Sequence, residues 1–184
     1  MSSIVIAEYD PAWSQLYAEE QQKIRALIGT YIFDIQHIGS TSVPGLAAKP
    51  VIDIMIGIHS LDLVEQTVEP LASLGYEHLG EHGIPERHFF RKPAHAISFA
   101  ERTHHLHMME RGHIQWETHQ LFRDYLRTHP EALAAYEQLK RDLALQFSDD
   151  RFAYTDAKAD FITATIEKAR AEKTDPGRVS ATDL

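Results

Sequence analysis

His37-Ile38-Gly39-Ser40-Thr41-Ser42-Val43-Pro44-Gly45-Leu46-Ala47-Ala48-Lys49-Pro50-Val51-Ile52-Asp53-Ile54-Met55-Ile56-Gly57-Ile58 joins the end of one strand-like run to a second through a loop of small and turn-forming residues. In the second run Ile52, Ile54, Ile56 and Ile58 alternate with Asp53, Met55 and Gly57. A period of two puts the isoleucines on one face of a strand and Asp53 on the other, away from the core. A Gly-Ser loop offers backbone N–H groups and a hydroxyl to phosphate oxygens. A carboxylate on the adjoining strand can hold a divalent cation against the same phosphates. Pro44-Gly45 is a turn signal, and Pro50 biases Lys49 towards an extended conformation before the strand.

Upstream of this stretch, Asp10 is placed to cap a helix with Pro11 at its first position. Trp13, Leu16, Tyr17, Ile24, Leu27 and Ile28 recur at helical spacing, and Gly29 ends it. Tyr31 to Ile38 reads as a strand. Downstream, Ser60 caps a helix carrying Leu63, Val64, Val68, Leu71 and Leu74, which Pro70 is expected to kink or restart. Short strands are predicted at Tyr76–Leu79, His88–Lys92, Ile97–Ala100 and Thr103–Met109. In the last of these His105, His107 and Met109 share one face. Three helices follow, at Trp116–Thr128, Pro130–Phe147 and Arg151–Glu172. The order predicts an α/β (α+β) fold: a mixed β-sheet flanked by helices, with a helical C-terminal third. We expect one domain over residues 1–172 and a polar, disordered tail over 173–184.

The chain has 184 residues and a formal charge of −9, with 27 acidic and 18 basic side chains. That balance argues against broad nucleic-acid binding, which needs a basic face, but leaves room for a small anion in a local basic pocket. No apolar run is long enough for a membrane span and the first residues do not read as a signal peptide, so a cytoplasmic location is expected. The absence of cysteine excludes disulfides, thiolate metal sites and cysteine nucleophiles. There are 12 histidines, most of them between His78 and His119. Lys49, Arg87, Arg91, Arg102 and Lys158 are the cationic residues considered for phosphate; Arg91 and Lys92 point to opposite faces, so at most one faces a site. His37, just before the loop, either touches a ligand or packs.

His37-Ile38-Gly39-Ser40-Thr41, Val43-Pro44-Gly45-Leu46, Ala48-Lys49-Pro50 and Ile52-Asp53-Ile54 closely resemble the signature of the GrpB family. Tyr9-Asp10-Pro11, Gly83-Ile84-Pro85, Phe90-Arg91-Lys92, Thr103-His104-His105-Leu106-His107, Phe122-Arg123-Asp124-Tyr125-Leu126 and Tyr154-Thr155-Asp156-Ala157-Lys158 extend the likeness from about Ile4 to Arg170. The resemblance implies a nucleotidyltransferase-like α/β fold; some members of the family are fused to dephospho-CoA kinase. In the wider superfamily two carboxylates one residue apart on the strand, with a third nearby, hold metal ions that bridge a triphosphate. Gly39, Ser40 and Asp53 fit that pattern, but the second carboxylate position is Met55, which cannot bind a hard cation. Should the Thr103–Met109 strand lie beside the Asp53 strand, His105 and His107 could complete a metal site with Asp53, a donor set that suits Zn²⁺, Mn²⁺, Fe²⁺ or Ni²⁺ better than Mg²⁺.

The expected function is therefore binding of a nucleotide or another phosphorylated small molecule, with metal-dependent nucleotidyl or phosphoryl transfer as its catalytic form. Asp53 would be the catalytic residue and metal ligand. Gly39, Ser40, Thr41, Lys49, Arg91, Tyr154 and Lys158 would bind phosphate or ligand. The alternatives are a noncatalytic binding domain of the same fold and a His/Asp metal site that supports hydrolysis.

Overall fold

The computed structural model describes residues 4–98 and 101–174. Five strands, β1 (Ile32–Ile38), β2 (Ile52–Ile58), β3 (Glu77–His78), β4 (Arg87–Lys92) and β5 (His104–Glu110), form one sheet in the order β1-β2-β5-β4-β3. β2 and β5 run parallel, and every other neighbouring pair is antiparallel. The parallel register sets Asp53 opposite His105 and Met55 opposite His107, so all four side chains share one face.

The other face carries the main core. Ile52, Ile54, Ile56 and Ile58 pack with Phe90, Leu106 and Met108 under Trp13, Ile24 and Ile28 of α1 (Ala12–Ile28) and Val64 and Leu71 of α2 (Val64–Ser73). Asp10 Oδ1 accepts the Ala12 N–H at 2.9 Å at the start of α1, as its sequence position predicts. α2 continues through Pro70 as one helix, preceded by a 3-10 turn at Leu61–Leu63. The expected kink is therefore not a break. Ile97 and Ser98 form a bend instead of a strand, and the rest of that predicted strand lies outside the described residues.

The Asp53 face is covered too. α3 (Ile114–Thr128) lays Trp116 over Ile38, Met55 and Met109. Phe122 and Leu126 of α3 join Tyr136 of α4 (Pro130–Gln146) and Phe161 and Ile162 of α6 (Ala159–Thr174) in a second apolar layer. Gly57 fits this arrangement through a bulge in β1 near Phe33: a Cβ at Gly57 would overlap the Phe33 ring. The last predicted helix is two, α5 (Arg151–Asp156) and α6, separated at Ala157-Lys158. α6 extends through Lys173 and Thr174, where a disordered tail was expected; residues 175–184 lie outside the described residues. No described helix is long and apolar enough to cross a membrane.

Candidate functional site

Between the Asp53 face of the sheet and the C-terminal helices lies a cavity of two adjoining lobes, each about 350 Å³. Gly39, Ser40, Asp53, His119 and Lys158 line both lobes. The loop after β1 forms one wall. Gly39 takes φ +70°, and a Cβ there would collide with the Asp53 carboxylate. Glycine is thus required twice, for its backbone angle and for the space that lets the carboxylate sit against the loop.

The loop is held from both sides. Thr41 Oγ1 donates to the Val51 carbonyl at 3.2 Å, and His37 Nε2 meets the Thr41 hydroxyl oxygen at 3.1 Å. With the hydroxyl proton on Val51, the imidazole is the donor. His37 stacks on Tyr17 with ring centroids 4.6 Å apart, and burial pushes its pKa down to about 4. It is therefore a neutral brace on the core side of β1. From α3, Arg123 donates to Gln36 Oε1 at 2.8 Å and to the His37 carbonyl at 2.9 Å, while Arg127 donates to the Ser42 carbonyl at 2.7 Å. From α4, Glu137 accepts the Ala47 N–H at 3.1 Å and Lys140 donates to the Ala47 carbonyl.

The first lobe is cationic. Lys49, Lys140 and Lys158 all line it, together with Ser40 and Thr41. The ammonium groups of Lys49 and Lys158 each lie 4.2 Å from the centre of the Tyr154 ring. Lys140 is only 2% exposed. Burial, reinforced by the positive charge of Lys158, pushes the Lys140 pKa down to about 7, and burial takes Lys158 to about 8 although Asp53 opposes it. Anionic oxygens in the lobe would offset this lost solvation.

Beside the lysines, His105 Nδ1 donates to Asp53 Oδ1 at 3.0 Å. Burial acts to raise the Asp53 carboxyl, but this hydrogen bond and the field of the surrounding histidines outweigh it and hold the pKa below its ordinary value. Arg87 Nη1 donates to His107 Nδ1 at 2.9 Å, and its Nη2 reaches the carbonyls of Glu81 and His82 at 3.2 Å each. Burial keeps His107 neutral, with a pKa well below the usual histidine value. Because its Nδ1 accepts from Arg87, its single proton is on Nε2, and neither ring nitrogen offers a free lone pair.

That assignment bears on the metal. A divalent ion needs several lone pairs converging on one point, and among the described residues no group of three or more His, Asp or Glu side chains is placed to hold one. Met55 is buried under Trp116, His107 gives its lone pair to Arg87, and one Asp53 oxygen takes the His105 proton. As placed, these residues do not fit a metal centre, and no step below runs through one.

The structure thus brings Gly39, Ser40, Thr41, Lys49, Asp53, His105, His107, Tyr154 and Lys158 to one cavity. Arg91 is elsewhere, in an ion pair with Glu77 at 2.8 Å, and it lines neither lobe. Four participants do not stand out in the sequence: Lys140, His119, and the loop clamps Arg123 and Arg127. Lys140 does carry a signal, since it falls four residues after Tyr136 and three before Leu143, in the buried stripe of α4.

The sequence profile described as GrpB protein matches residues 3–168. YqkA of Bacillus subtilis is 39% identical over 170 residues, 92% of this chain but 48% of its own length. The chain therefore spans about half of that relative. The glutamate-rich protein GrpB of Alkalihalophilus pseudofirmus is 35% identical across 90% of this chain and 95% of its own. The crystal structure of the conserved protein GrpB from Enterococcus faecalis superposes with a TM-score of 0.83 at 34% identity, covering 92% of this chain and 99% of that one. With one profile spanning the loop, the Asp53 strand and the helices that close the cavity, the chain belongs to the GrpB family.

Proposed function

We propose that this protein binds a nucleotide or another phosphorylated small molecule in the cavity between the Gly39-Ser40 loop and α4–α6. The observation that carries this reading is the convergence of Lys49, Lys140 and Lys158 on one lobe, two of them with depressed pKa values. Burial disfavours the charged forms of Lys140 and Lys158, and a phosphate in the lobe would add negative charge that favours them. Ser40 and the loop amides add neutral donors, and Asp53 bounds the site on the sheet side.

Binding without turnover is the form the geometry favours, because the donor set for two-metal transfer is incomplete at Met55. The Asp53–His105 contact favours a second reading, in which the carboxylate orients an imidazole for proton transfer to or from a bound phosphate ester. A metal-assisted variant, with Mg²⁺, Mn²⁺ or Zn²⁺ on Asp53, His105 and His107, requires His107 to leave Arg87.

Titration calorimetry of chelator-treated protein with pyrophosphate and with nucleoside triphosphates tests the first reading. Saturable binding that is weakened in both Lys140→Met and Lys158→Met supports it, and absence of binding for every phosphate removes it. Pyrophosphate release from a triphosphate with Mg²⁺ or Mn²⁺, lost in Asp53→Ala, would instead establish transfer.

A further inference from the structure

The second lobe meets the lysine lobe at Ser40, Asp53, His119 and Lys158 and adds a polar end from the first turns of α3. His113 sets that end in place: its Nδ1 accepts the Gln115 N–H at 3.1 Å, and its Nε2 donates to the Pro85 carbonyl at 3.0 Å. Gln115 lines the lobe, yet its Oε1 is closed off from solvent and has no hydrogen-bond partner among the described residues. Buried acceptors are nearly always satisfied, so one left open on a side chain at a cavity wall points to a donor on the ligand. Its neighbours in the lobe have the same need. Thr118 Oγ1 gives its proton to the Ile114 carbonyl at 3.2 Å and keeps only lone pairs to offer. Asp53 takes the His105 proton on one oxygen, and its other oxygen is a further acceptor.

We propose that the ligand is a phosphate ester with a hydroxylated carbon skeleton, its phosphate held by Lys49, Lys140 and Lys158 and a hydroxyl donating to Gln115 Oε1, which turns about its side-chain bonds to meet it. This rests on the phosphate-binding reading above and narrows it by naming the group that the second lobe receives. Lys158, common to both lobes, disfavours a cationic donor there and leaves the neutral ones. Among these a hydroxyl suits the mixture of groups, since it gives a proton to Gln115 or Thr118 and takes one from Lys158. The carbon atoms of the skeleton meet Phe122, Leu126 and Ile162, which line the same lobe. Free sugar phosphates and the ribose of nucleotides share this chemistry.

The test is titration calorimetry of EDTA-treated protein with four probes: inorganic phosphate, pentyl phosphate, ribose 5-phosphate and adenosine monophosphate. Ribose 5-phosphate is expected to bind about tenfold more tightly than pentyl phosphate, its hydroxyl-free counterpart of equal carbon number, the effect of one or two hydrogen bonds to buried acceptors. Gln115→Met, which removes the amide at similar volume, and Thr118→Val should each bring that ratio towards one. Unliganded Gln115→Met should melt no lower than the parent, because its buried acceptor has no bond to lose. An adenosine ester that binds more tightly than ribose 5-phosphate, and is weakened in Gln115→Met, assigns the hydroxyls to a nucleotide; one that binds no more tightly assigns them to a sugar phosphate. Either result upholds the proposal. Equal affinity for ribose 5-phosphate and pentyl phosphate, a preference that survives Gln115→Met, or a lowered melting temperature in that variant overturns the hydroxyl assignment while phosphate binding stands. If none of the four probes binds with or without Mg²⁺, the phosphate-binding reading fails and takes this one with it.

Discussion

On one face of β2, Ile52, Ile54, Ile56 and Ile58 lie in a closed hydrocarbon core under α1 and α2, whereas Asp53, one residue along, borders a cavity lined by lysines and histidines. The two faces share a backbone and a register. The isoleucine face gains stability from close packing, with all four side chains buried in one apolar cluster. The Asp53 face gives some of that up: beyond Met55 and Trp116 it leaves a hollow and keeps cations there that burial disfavours. A strand that is one element by geometry is thus two by energetics: its isoleucines lie in a filled core, while on the other face Asp53 borders a cavity.

The largest way to break this division is Ile54→Ala, a fully buried side chain at the centre of the filled face. It should lower unfolding free energy by about 2–5 kcal/mol in urea denaturation, as large-to-small core changes do. Pyrophosphate affinity of the molecules that remain folded should be unchanged. Gly39→Ala comes next, at roughly 1–3 kcal/mol, because the backbone keeps a positive φ that alanine resists and the new methyl displaces the Asp53 carboxylate. Here, unlike Ile54→Ala, ligand binding should fall along with stability.

Lys140→Met sharpens the contrast by turning part of the cavity face into core. It should raise stability by about 1 kcal/mol, within the range of mutations that relieve strained functional sites, while weakening pyrophosphate binding at least tenfold. A thermal melt and a titration on the same sample read both effects. An unchanged melting temperature together with full affinity would show that Lys140 belongs with the packing instead.

pH separates the faces without mutation. Lys140 and Lys158 have folded pKa values of about 7 and 8, below the ordinary 10.5 of lysine. Between those values and 10.5 the unfolded chain holds more protons, so these two groups make stability rise with pH across that window. Phosphate affinity should run the opposite way, falling as pH climbs through 7 to 8 and the ammonium groups discharge. On the acid side His37, at about 4 when folded, makes stability fall as pH drops from 6.5 towards 4. The smallest expected effect is that of Asp53→Asn: removing one negative charge beside Lys158 should strengthen pyrophosphate binding a few-fold, whereas any turnover should be lost.

The alternation from Ile52 to Ile58 is enough to place Asp53 opposite the core, and the parallel neighbour that puts His105 and His107 beside it fits the period of two in that strand. What alternation cannot reveal is that the polar side of β2 is roofed, because the roof comes from helices 60 and more residues away. Lys140 is hard to find for a related reason. A lysine in an amphipathic helix reads as solvated, and the carbonyl of Ala47, 93 residues earlier in the chain, together with the face of the Tyr136 ring, makes its burial tolerable. The long C-terminal helical pattern likewise hides the break at Ala157-Lys158 that turns Lys158 towards the cavity. Pro70 misleads in the other direction: the proline signal is local, and packing of Val64 and Leu71 on the core keeps α2 continuous.

The clamp on the loop after β1 also fixes when the site can exist. Arg123 reaches back 86 residues to the His37 carbonyl, Arg127 85 to Ser42, and Glu137 90 to Ala47. During synthesis the sheet residues through β5 emerge before any of these partners, so the Asp53 face first appears uncovered. Closing it requires contacts between distant segments, which carry the loop-closure entropy that slows folding. The cavity is therefore among the last parts of the molecule to assemble, and any ligand that filled it would favour the fully folded chain over its immediate precursor.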